Sequence, residues 1–398
     1  MSELPTVSLL TSSTDRSLDE IPALFTELGP DAPDSVELYV FRDCDLQDLK
    51  IKGRDDPRAS TARLVGGLSL SRLDEIAADV TNRLDGKRIQ ALATYFPEIT
   101  SADLDRKDDA VKALVNAVYL ADKLRVSVVE MVAGRHDEEC TRICNSEDCQ
   151  VVLSFRDYAL EESESSDVNL PVKMNWLIEG LSEVCKRVGD LPLQHNVQLY
   201  LEMEPGRLFV LSRPHLIRRA LQASPDCYLP YKDSNGKETG LTYPFVSFNC
   251  DIGHCLLMMR NGENFPGGMW SEVFCGSAPD IGTPPLRLRN FHISDHPFNR
   301  MHLDRPPTTE PEYLTWNNIR ADTCQPMGFI PWLNCALCVT EHGRPANVSL
   351  ELEAEIYPEA IRTGIRAVRT ALQEIAAKKD ENPNCACIAC EGCPAYRP

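Results

Sequence analysis

Short apolar segments rich in β-branched residues alternate with longer amphipathic stretches along most of this chain of 398 residues. The apolar segments are typical of strands buried on both faces, and the amphipathic stretches are typical of helices that cover a sheet. The pattern predicts strands at Thr6–Leu10, Val36–Phe41, Arg88–Tyr95, Ser127–Val132, Val197–Met203, Val246–Cys250, Arg287–His292 and Asn347–Leu352. It predicts helices at Ser17–Leu28, Ser71–Leu84, Asp108–Arg125, Val172–Val188, Arg213–Gln222, Pro331–Glu341 and Pro358–Ala377.

Two predicted helices begin with an N-terminal cap followed by an acidic residue in the first turn, Ser17 with Glu20 and Ser71 with Asp74. Strands that alternate with helices pair in parallel through crossover connections. An open doubly wound sheet would alternate in the same way. Eight strands with polar residues at their ends favour a closed (β/α)8 TIM barrel of the α/β class.

We expect one barrel domain over residues 1–380 and a separate cysteine-rich tail over residues 381–398. Two segments are predicted to be inserted loops. Residues 136–170 contain the acidic run EESESSD and are expected on the surface, whereas residues 294–328 follow a strand that carries candidate site residues. The second loop is therefore the better candidate for a lid.

The tail carries a Cys-x-Cys-x2-Cys-x2-Cys pattern, with cysteines at Cys385, Cys387, Cys390 and Cys393. Thiolates at this spacing can bind a zinc ion or an iron–sulfur cluster, and a disordered, oxidisable tail is the alternative. A second group of cysteines lies at Cys140, Cys144 and Cys149. The pair Cys335 and Cys338 on a predicted helix fits core packing better than a site.

Composition and charge narrow the class of protein. Hydrophobic residues make up 43% and charged residues 25% of the chain, as in soluble globular proteins. The net charge of −19 disfavours general binding to nucleic acids or anionic membranes. Neither a secretory signal nor a run of about 20 apolar residues is recognisable, so we expect a cytoplasmic protein. In that compartment the 16 cysteines are expected to be free thiols or metal ligands and not disulfides. The sequence does not decide whether the protein forms a homo-oligomer.

Four predicted strands end in a charged or imidazole side chain, namely Glu202, Asp251, His292 and Glu351. The C-terminal ends of barrel strands converge on one bowl, and a carboxylate in an apolar strand is costly to bury unless it is paired or binds a cation. Three carboxylates and one imidazole suit Mn²⁺ best, with Mg²⁺, Co²⁺, Zn²⁺ or Fe²⁺ as alternatives. The register alternatives as ligands are Glu204 and Glu353.

The strings LYLEMEPG, FNCDIGH, NFHISD and VSLELE resemble strands five to eight of the xylose isomerase-like TIM barrel superfamily. VELYVFRD, IQALATYFP and LADKLRVSVVEMVAG resemble its strands two to four, so that the resemblance covers residues 5–377. The superfamily includes sugar epimerases, hydroxypyruvate isomerases, inosose dehydratases and apurinic-site endonucleases. The ordered set E…DxxH…H…E at successive strand ends is the most specific part of the resemblance.

The resemblance implies that Glu202, Asp251, His292 and Glu351 bind the metal ion. It also implies catalytic roles for Glu202 and Glu351, one removing a proton beside a carbonyl and the other returning it through a metal-stabilised enediolate. His254 would contact a substrate oxygen or bind a second metal. Further substrate-binding candidates are Asp295 and Arg300, with Arg135 as another candidate for a phosphate group. The implied activity is a divalent-metal-dependent isomerase or epimerase acting on a small sugar or polyhydroxy-carbonyl compound.

Three other functions stay open. The same barrel could be a keto-polyol dehydratase, or a non-catalytic metal or redox partner protein whose cysteine tail passes electrons or metal to another protein. An abasic-site endonuclease is disfavoured, because strand three ends in Tyr95-Phe96-Pro97 without a histidine, His136 is displaced, and His302 follows Arg300 instead of an aspartate. The segment Met327–Pro331 lacks the acid of the G-x-G-x-x-D motif that sugar enzymes often carry, which leaves the substrate class open.

Overall fold

Eight parallel strands close into a barrel, as the sequence predicts, in the computed structural model of this protein. The structure describes residues 4–14, 16–40, 68–132, 134, 170–203, 209–211, 216–217, 220–221, 227–254, 289–294, 333, 336–337, 340, 346–352 and 357–381. The barrel strands are β1 Thr6–Leu10, β2 Ser35–Val40, β3 Ile89–Thr94, β4 Val128–Val132, β5 Gln198–Glu202, β8 Val246–Asp251, β9 Asn290–Ser294 and β10 Asn347–Glu351. Their order around the ring is β1-β10-β9-β8-β5-β4-β3-β2, and β2 pairs with β1 to close it.

Each observed barrel strand overlaps a predicted one, with corrections at the ends. The largest concerns the strand predicted at Arg287–His292, which begins at Asn290 and ends at Ser294. It extends past His292 because Ile293 and Ser294 still pair with Leu350 and Glu351 of β10.

One sheet element was not predicted. β6 (Tyr228–Lys232) and β7 (Glu238–Pro244) form an antiparallel hairpin between β5 and β8. Its turn is set by Asp233, whose carboxylate accepts the backbone N–H groups of Asn235 and Lys237, and by Gly236 at a φ of +77°.

Long helices follow the strands at the predicted places. They are α1 Ile21–Leu28, α2 Leu70–Arg83, α3 Leu104–Lys123, α4 Leu170–Gly189 and α5 Pro358–Glu381. Helical residues are also described inside the predicted Arg213–Gln222 and Pro331–Glu341 helices. No described helix is long and apolar enough to cross a membrane.

The helix starts refine the capping predictions. Ser17 and Glu20 form the predicted capping box, but a 3-10 turn at Leu18–Glu20 precedes α1. The prediction of Ser71 as the cap of α2 was wrong. Ser69 is the N-cap and accepts the backbone N–H of Arg72, so Ser71 lies inside the first turn. Asp103 caps α3 and lets it begin at Leu104, earlier than predicted.

Alternation along the strands separates an apolar outer layer, which packs under the helices, from an unusually polar barrel interior. Leu199 and Leu201 of β5 belong to the large core between barrel and helices. The intervening strand positions carry buried polar side chains, among them Ser8, Glu37, Glu130, Gln198, Ser247, Asn249, Asn290, Asn347 and Ser349. Barrel interiors are usually filled by branched apolar residues, so this interior is built for polar contacts.

Candidate metal centre

The four predicted ligands come together at the C-terminal end of the barrel. Glu202, Asp251, His292 and Glu351 lie on four neighbouring strands of the ring, β5, β8, β9 and β10. Each offers one ligand atom, and these four atoms all lie within 4.8 Å of one another. The side chains of Glu202, Asp251 and His292 are buried, whereas that of Glu351 is 21% exposed. Solvent therefore has little access to Glu202, Asp251 and His292, and contacts the group mainly at Glu351.

Strand register explains the convergence. Asp251 is aligned with His292, and Glu351 is aligned with Ser294, two residues beyond His292 on the same strand. Because side chains alternate between faces, all four project into the barrel. His292 Nδ1 lies 3.2 Å from Glu351 Oε2 and 3.6 Å from Glu202 Oε2, so the imidazole lies between the two glutamates.

The electrostatics of the group fit a bound cation. Burial raises the pKa of Glu351 to about 7, and the negative charges of Glu202 and Asp251 add to the shift against the charge of His292. Burial also raises the pKa of Asp251. Burial by itself would lower the pKa of His292, but the charges of Glu37 and Glu202 hold it well above its usual value. Buried carboxylates that repel one another are stabilised by a positive charge among them.

Hydrogen bonding points the same way. Within the described part of the chain, the buried atoms His292 Nδ1 and Glu351 Oε2 form no hydrogen bond, although both face the centre of the group. Buried polar atoms in folded proteins normally have partners. Three carboxylate oxygens and an imidazole nitrogen form a donor set for Mn²⁺ or a similar divalent ion. The residues present therefore fit a metal ion.

His254 lies at the edge of this group, as the turn after Asp251 predicts. Its backbone N–H donates to Asp251 Oδ1 at 2.8 Å, and its ring Nδ1 lies 2.9 Å from the carbonyl oxygen of Met203. The same Nδ1 is 3.4 Å from Glu202 Oε1. The ring is 13% exposed and also places Nε2 3.8 Å from Asp251 Oδ2, so it lies beside two of the predicted ligands.

Two buried glutamates below the group were not singled out from the sequence. Glu37 of β2 places Oε2 3.1 Å from His292 Nε2. Glu130 of β4 lies beside Glu202, and burial together with the charge of Glu202 raises its pKa well above the usual value. Both interrupt apolar strands, VELYV and VVEMV, which is the signal that identified Glu202 and Glu351. They lie inside their strands and not at the ends, where barrel sites are sought.

Other predicted residues lie outside the described part of the chain and stay predictions. These are the substrate-binding candidates Asp295, Arg300 and Arg135, the histidines His136 and His302, the alternative ligands Glu204 and Glu353, and the cysteines Cys140, Cys144, Cys149, Cys335, Cys338, Cys385, Cys387, Cys390 and Cys393. The same holds for most of the two predicted loops, 136–170 and 294–328.

The sequence matches no protein-family model and no curated protein, whereas many solved structures share its fold. A protein from Anabaena variabilis named as a candidate sugar phosphate isomerase/epimerase matches with a TM-score of 0.52 and 11% identity, over 94% of this chain and 100% of that one. A 3-keto-D-glucoside 4-epimerase from E. coli matches with a TM-score of 0.50 and 13% identity, over 92% of this chain and 100% of that one.

A fusion of a xylose isomerase-like TIM barrel with a 4-hydroxyphenylpyruvate dioxygenase matches with a TM-score of 0.49 and 11% identity over 96% of this chain. This chain spans 45% of the fusion protein. At these identities the likeness concerns the fold. The closed parallel barrel and the matches from E. coli and Anabaena variabilis together show that the chain has a (β/α)8 TIM barrel fold, which it shares with these two structures.

Proposed function

We propose that this protein is a divalent-metal-dependent isomerase or epimerase that acts on a small sugar or another polyhydroxy-carbonyl compound. The observation that carries the proposal is the meeting of Glu202 and Glu351 in one four-residue ligand group. The two glutamates come from β5 and β10, which β8 and β9 separate in the ring. Two carboxylates that approach one position from different strands suit removal of a proton on one side and its return on the other.

The roles of the protein side chains follow from their contacts. Glu202 is held by Asn249, whose Nδ2 donates to Glu202 Oε2 at 3.1 Å, and by the ring of His254. Each carboxylate oxygen of Glu202 therefore has a polar neighbour that restricts its orientation. Glu351 is the most exposed of the four candidate ligands, which makes its carboxylate the one most accessible to a substrate.

When bound, a divalent cation such as Mn²⁺ supplies a Lewis acid that makes the carbon-bound proton next to a carbonyl more acidic. The protein must then exclude water and hold the proton-transfer groups in place. Glu202, Asp251 and His292 are at most 4% exposed, so bulk solvent is almost completely excluded from these side chains. Electrostatic interactions are stronger where water is excluded, so a bound cation would stabilise the negative charge that develops on the substrate during proton removal.

The matched structures that share the barrel fold support the proposed class of reaction. The two matched barrels from E. coli and A. variabilis carry names for epimerases or isomerases of sugars or sugar phosphates. We extend that chemistry to this chain because its own residues provide two carboxylates within a metal-ligand group. Manganese is the proposed ion, since three oxygen donors and one nitrogen donor form a mostly hard site.

Proton exchange tests the proposal. The protein loaded with Mn²⁺ or Mg²⁺ is incubated with a panel of ketopentoses, ketohexoses and their phosphates in D₂O, and the products are analysed by NMR. We expect one carbon-bound proton to exchange as a stereocentre inverts or a carbonyl migrates, and we expect chelation of the metal to stop the exchange. Loss of water would identify a keto-polyol dehydratase instead, and full activity of both Glu202→Gln and Glu351→Gln would refute the assigned roles.

A further inference from the structure

Glu37 is not one of the four predicted ligands, but its carboxylate contacts the imidazole of His292. Its Oε2 lies 3.1 Å from His292 Nε2, on the side of the ring opposite Nδ1. Nδ1 faces Glu202 and Glu351. The imidazole is thus held between a buried carboxylate on one side and the ligand group on the other.

A chain of buried side chains fixes the carboxylate of Glu37. Ser8 donates its hydroxyl proton to Asn347 Oδ1, and Asn347 Nδ2 donates to Asn290 Oδ1 at 2.7 Å. Asn290 Nδ2 then donates to Glu37 Oε1 at 3.1 Å. Because Asn290 Oδ1 is already an acceptor, its amide group can only face Glu37 as a donor. All members of the chain are at most 1% exposed, so water does not compete with these bonds.

This arrangement selects one tautomer of His292. Glu37 Oε1 accepts from Asn290, and Oε2 is left facing His292 Nε2. Two lone pairs at this distance would repel, whereas a proton on Nε2 is attracted by the negative charge of the carboxylate. The amide nitrogen of Asn290 also lies 3.3 Å from Nε2, but it is neutral and already donates to Glu37, so the closer carboxylate dominates. A proton on Nε2 leaves the Nδ1 lone pair for a cation among Glu202, Asp251 and Glu351.

We infer that Glu37 is a positioning residue of the metal centre, which orients His292 and holds it as the Nε2–H tautomer with Nδ1 directed at the metal ion. The inference rests on the metal site of the proposed function. A carboxylate that orients a metal-binding histidine in this way raises the affinity of the site for its ion. A purely structural role explains the residue poorly, because well-packed apolar side chains usually replace a buried charge without loss of stability.

The test compares Glu37→Gln with Asp122→Asn, a matched exchange of a buried carboxylate for an amide. Asp122 is 1% exposed and accepts the backbone N–H groups of Gln194 and His195 at the far end of α3, away from the four ligands. Calorimetric titration with Mn²⁺ and with Zn²⁺ measures the affinity of each protein. We expect Glu37→Gln to weaken binding about 10- to 100-fold. We expect Asp122→Asn to bind like the wild type, even if it unfolds more easily.

A second measurement needs no variant at Glu37. Nitrogen-15 NMR of the zinc-loaded wild type reads the tautomer of each of its eight histidines, and His292→Asn identifies the signal of His292 by its loss. We expect the proton on Nε2. A proton on Nδ1 would overturn the inference, and this readout stays valid if Glu37→Gln does not fold.

The outcomes separate this inference from the proposed function. Equal metal affinity of Glu37→Gln and wild type overturns the role of Glu37 and leaves the isomerase proposal standing. Weakened binding in Glu37→Gln, with no proton exchange in any sugar by the wild type, overturns the proposed activity and keeps the role of Glu37. A wild type that binds neither ion overturns both.

Discussion

His292 and Glu351 extend from the adjacent strands β9 and β10, and the imidazole Nδ1 lies 3.2 Å from Glu351 Oε2. This short distance places an imidazole nitrogen and a carboxylate oxygen around one position, where both can contact a cation. Since Glu351 is also the ligand nearest to solvent, it connects the buried part of the group to an incoming substrate.

Glu351→Gln is therefore expected to weaken metal binding and to lower the rate of proton exchange about 10²- to 10⁴-fold. The amide keeps the shape of the side chain but removes its charge and its capacity to take a proton. Calorimetry gives the affinity, and NMR in D₂O gives the exchange rate at saturating metal. The control is Glu359→Gln on α5, where a solvent-exposed glutamate loses its charge and both quantities should stay unchanged. A Glu351→Gln protein with wild-type exchange would contradict its catalytic role.

Metal binding should weaken as the pH falls. Burial, with the charges of Glu202 and Asp251, raises the pKa of Glu351 in the metal-free protein to about 7. Below that pH the carboxyl group is protonated and must lose its proton before it can bind a cation, so protons compete with the metal. Above about pH 7 the carboxyl group of Glu351 is already ionised and loses no proton when the metal ion binds.

We therefore expect the dissociation constant for Mn²⁺ to rise about tenfold for each pH unit below about pH 6, for each proton displaced. His292, whose pKa is also raised, must lose its Nδ1 proton as well, so part of the pH dependence continues above the pKa of Glu351. Titrations in buffers of different ionisation enthalpy count the protons released. A dissociation constant that does not change below about pH 6 would show that Glu351 is not a ligand.

His254 provides a way to separate substrate binding from metal binding. Its backbone N–H, which any residue retains, contacts Asp251, whereas its ring contacts Met203 and Glu202. We expect His254→Gln to raise KM about 10- to 100-fold, the value of one hydrogen bond to a charged or polar substrate oxygen. Its metal affinity should change less than that of Glu351→Gln. A fall in the number of bound metal ions, measured by calorimetry, would instead identify His254 as a ligand of a second metal.

The barrel and the four candidate ligands could be predicted from the sequence because both depend on local patterns. Eight apolar strands are short and distinct, and Glu202, Asp251 and Glu351 stand out as acids at strand ends. Parallel strands in a closed barrel end at the same rim, so that strand position alone brings the residues together. For these residues, no knowledge of long-range packing was needed.

The contacts of Glu37 could not be predicted in the same way. Its approach to His292 depends on the stagger of the strands around the barrel and on amide groups from β9 and β10 that direct its carboxylate. The hairpin at Tyr228–Pro244 was missed for a different reason. Its Asn235-Gly236 turn is a strong hairpin signal, but the expectation of strictly alternating strands and helices left no place for it.

Removal of residues 382–398 should leave the barrel ion in place. All four ligands lie between Glu202 and Glu351, and α5 continues to Glu381 before the deleted segment. Elemental analysis of the full-length and shortened proteins measures zinc, iron and manganese separately. We expect the barrel metal at equal stoichiometry in both, and any zinc or iron bound by the tail cysteines only in the full-length protein. Loss of the barrel ion on shortening would show that the tail supports the site.

Gly134 follows β4 and is expected to be one of the least replaceable glycines of the barrel. Its φ is +82°, and a Cβ there would overlap with the methyl carbon Cγ2 of Thr100 and lie 2.7 Å from its Oγ1 and 3.1 Å from its Cβ. Thr100 cannot move away easily, because it is 1% exposed and its carbonyl oxygen accepts a hydrogen bond from Lys173 at 2.8 Å. Gly86 provides the matched control, since its φ of +75° is similar and nothing lies within 4 Å of the added Cβ.

Gly86→Ala should lower the free energy of unfolding by about 1–2 kcal/mol, the cost of a left-handed backbone for a residue with a Cβ. Gly134→Ala should lower it by about 2–5 kcal/mol, because the overlap with Thr100 adds about 1–3 kcal/mol. Urea denaturation of both variants and the wild type, at one metal concentration, measures the difference. Thr100→Ser in the Gly134→Ala background removes the crowding methyl group and should restore part of the loss. Equal losses for the two alanine variants would show that the contact with Thr100 contributes nothing.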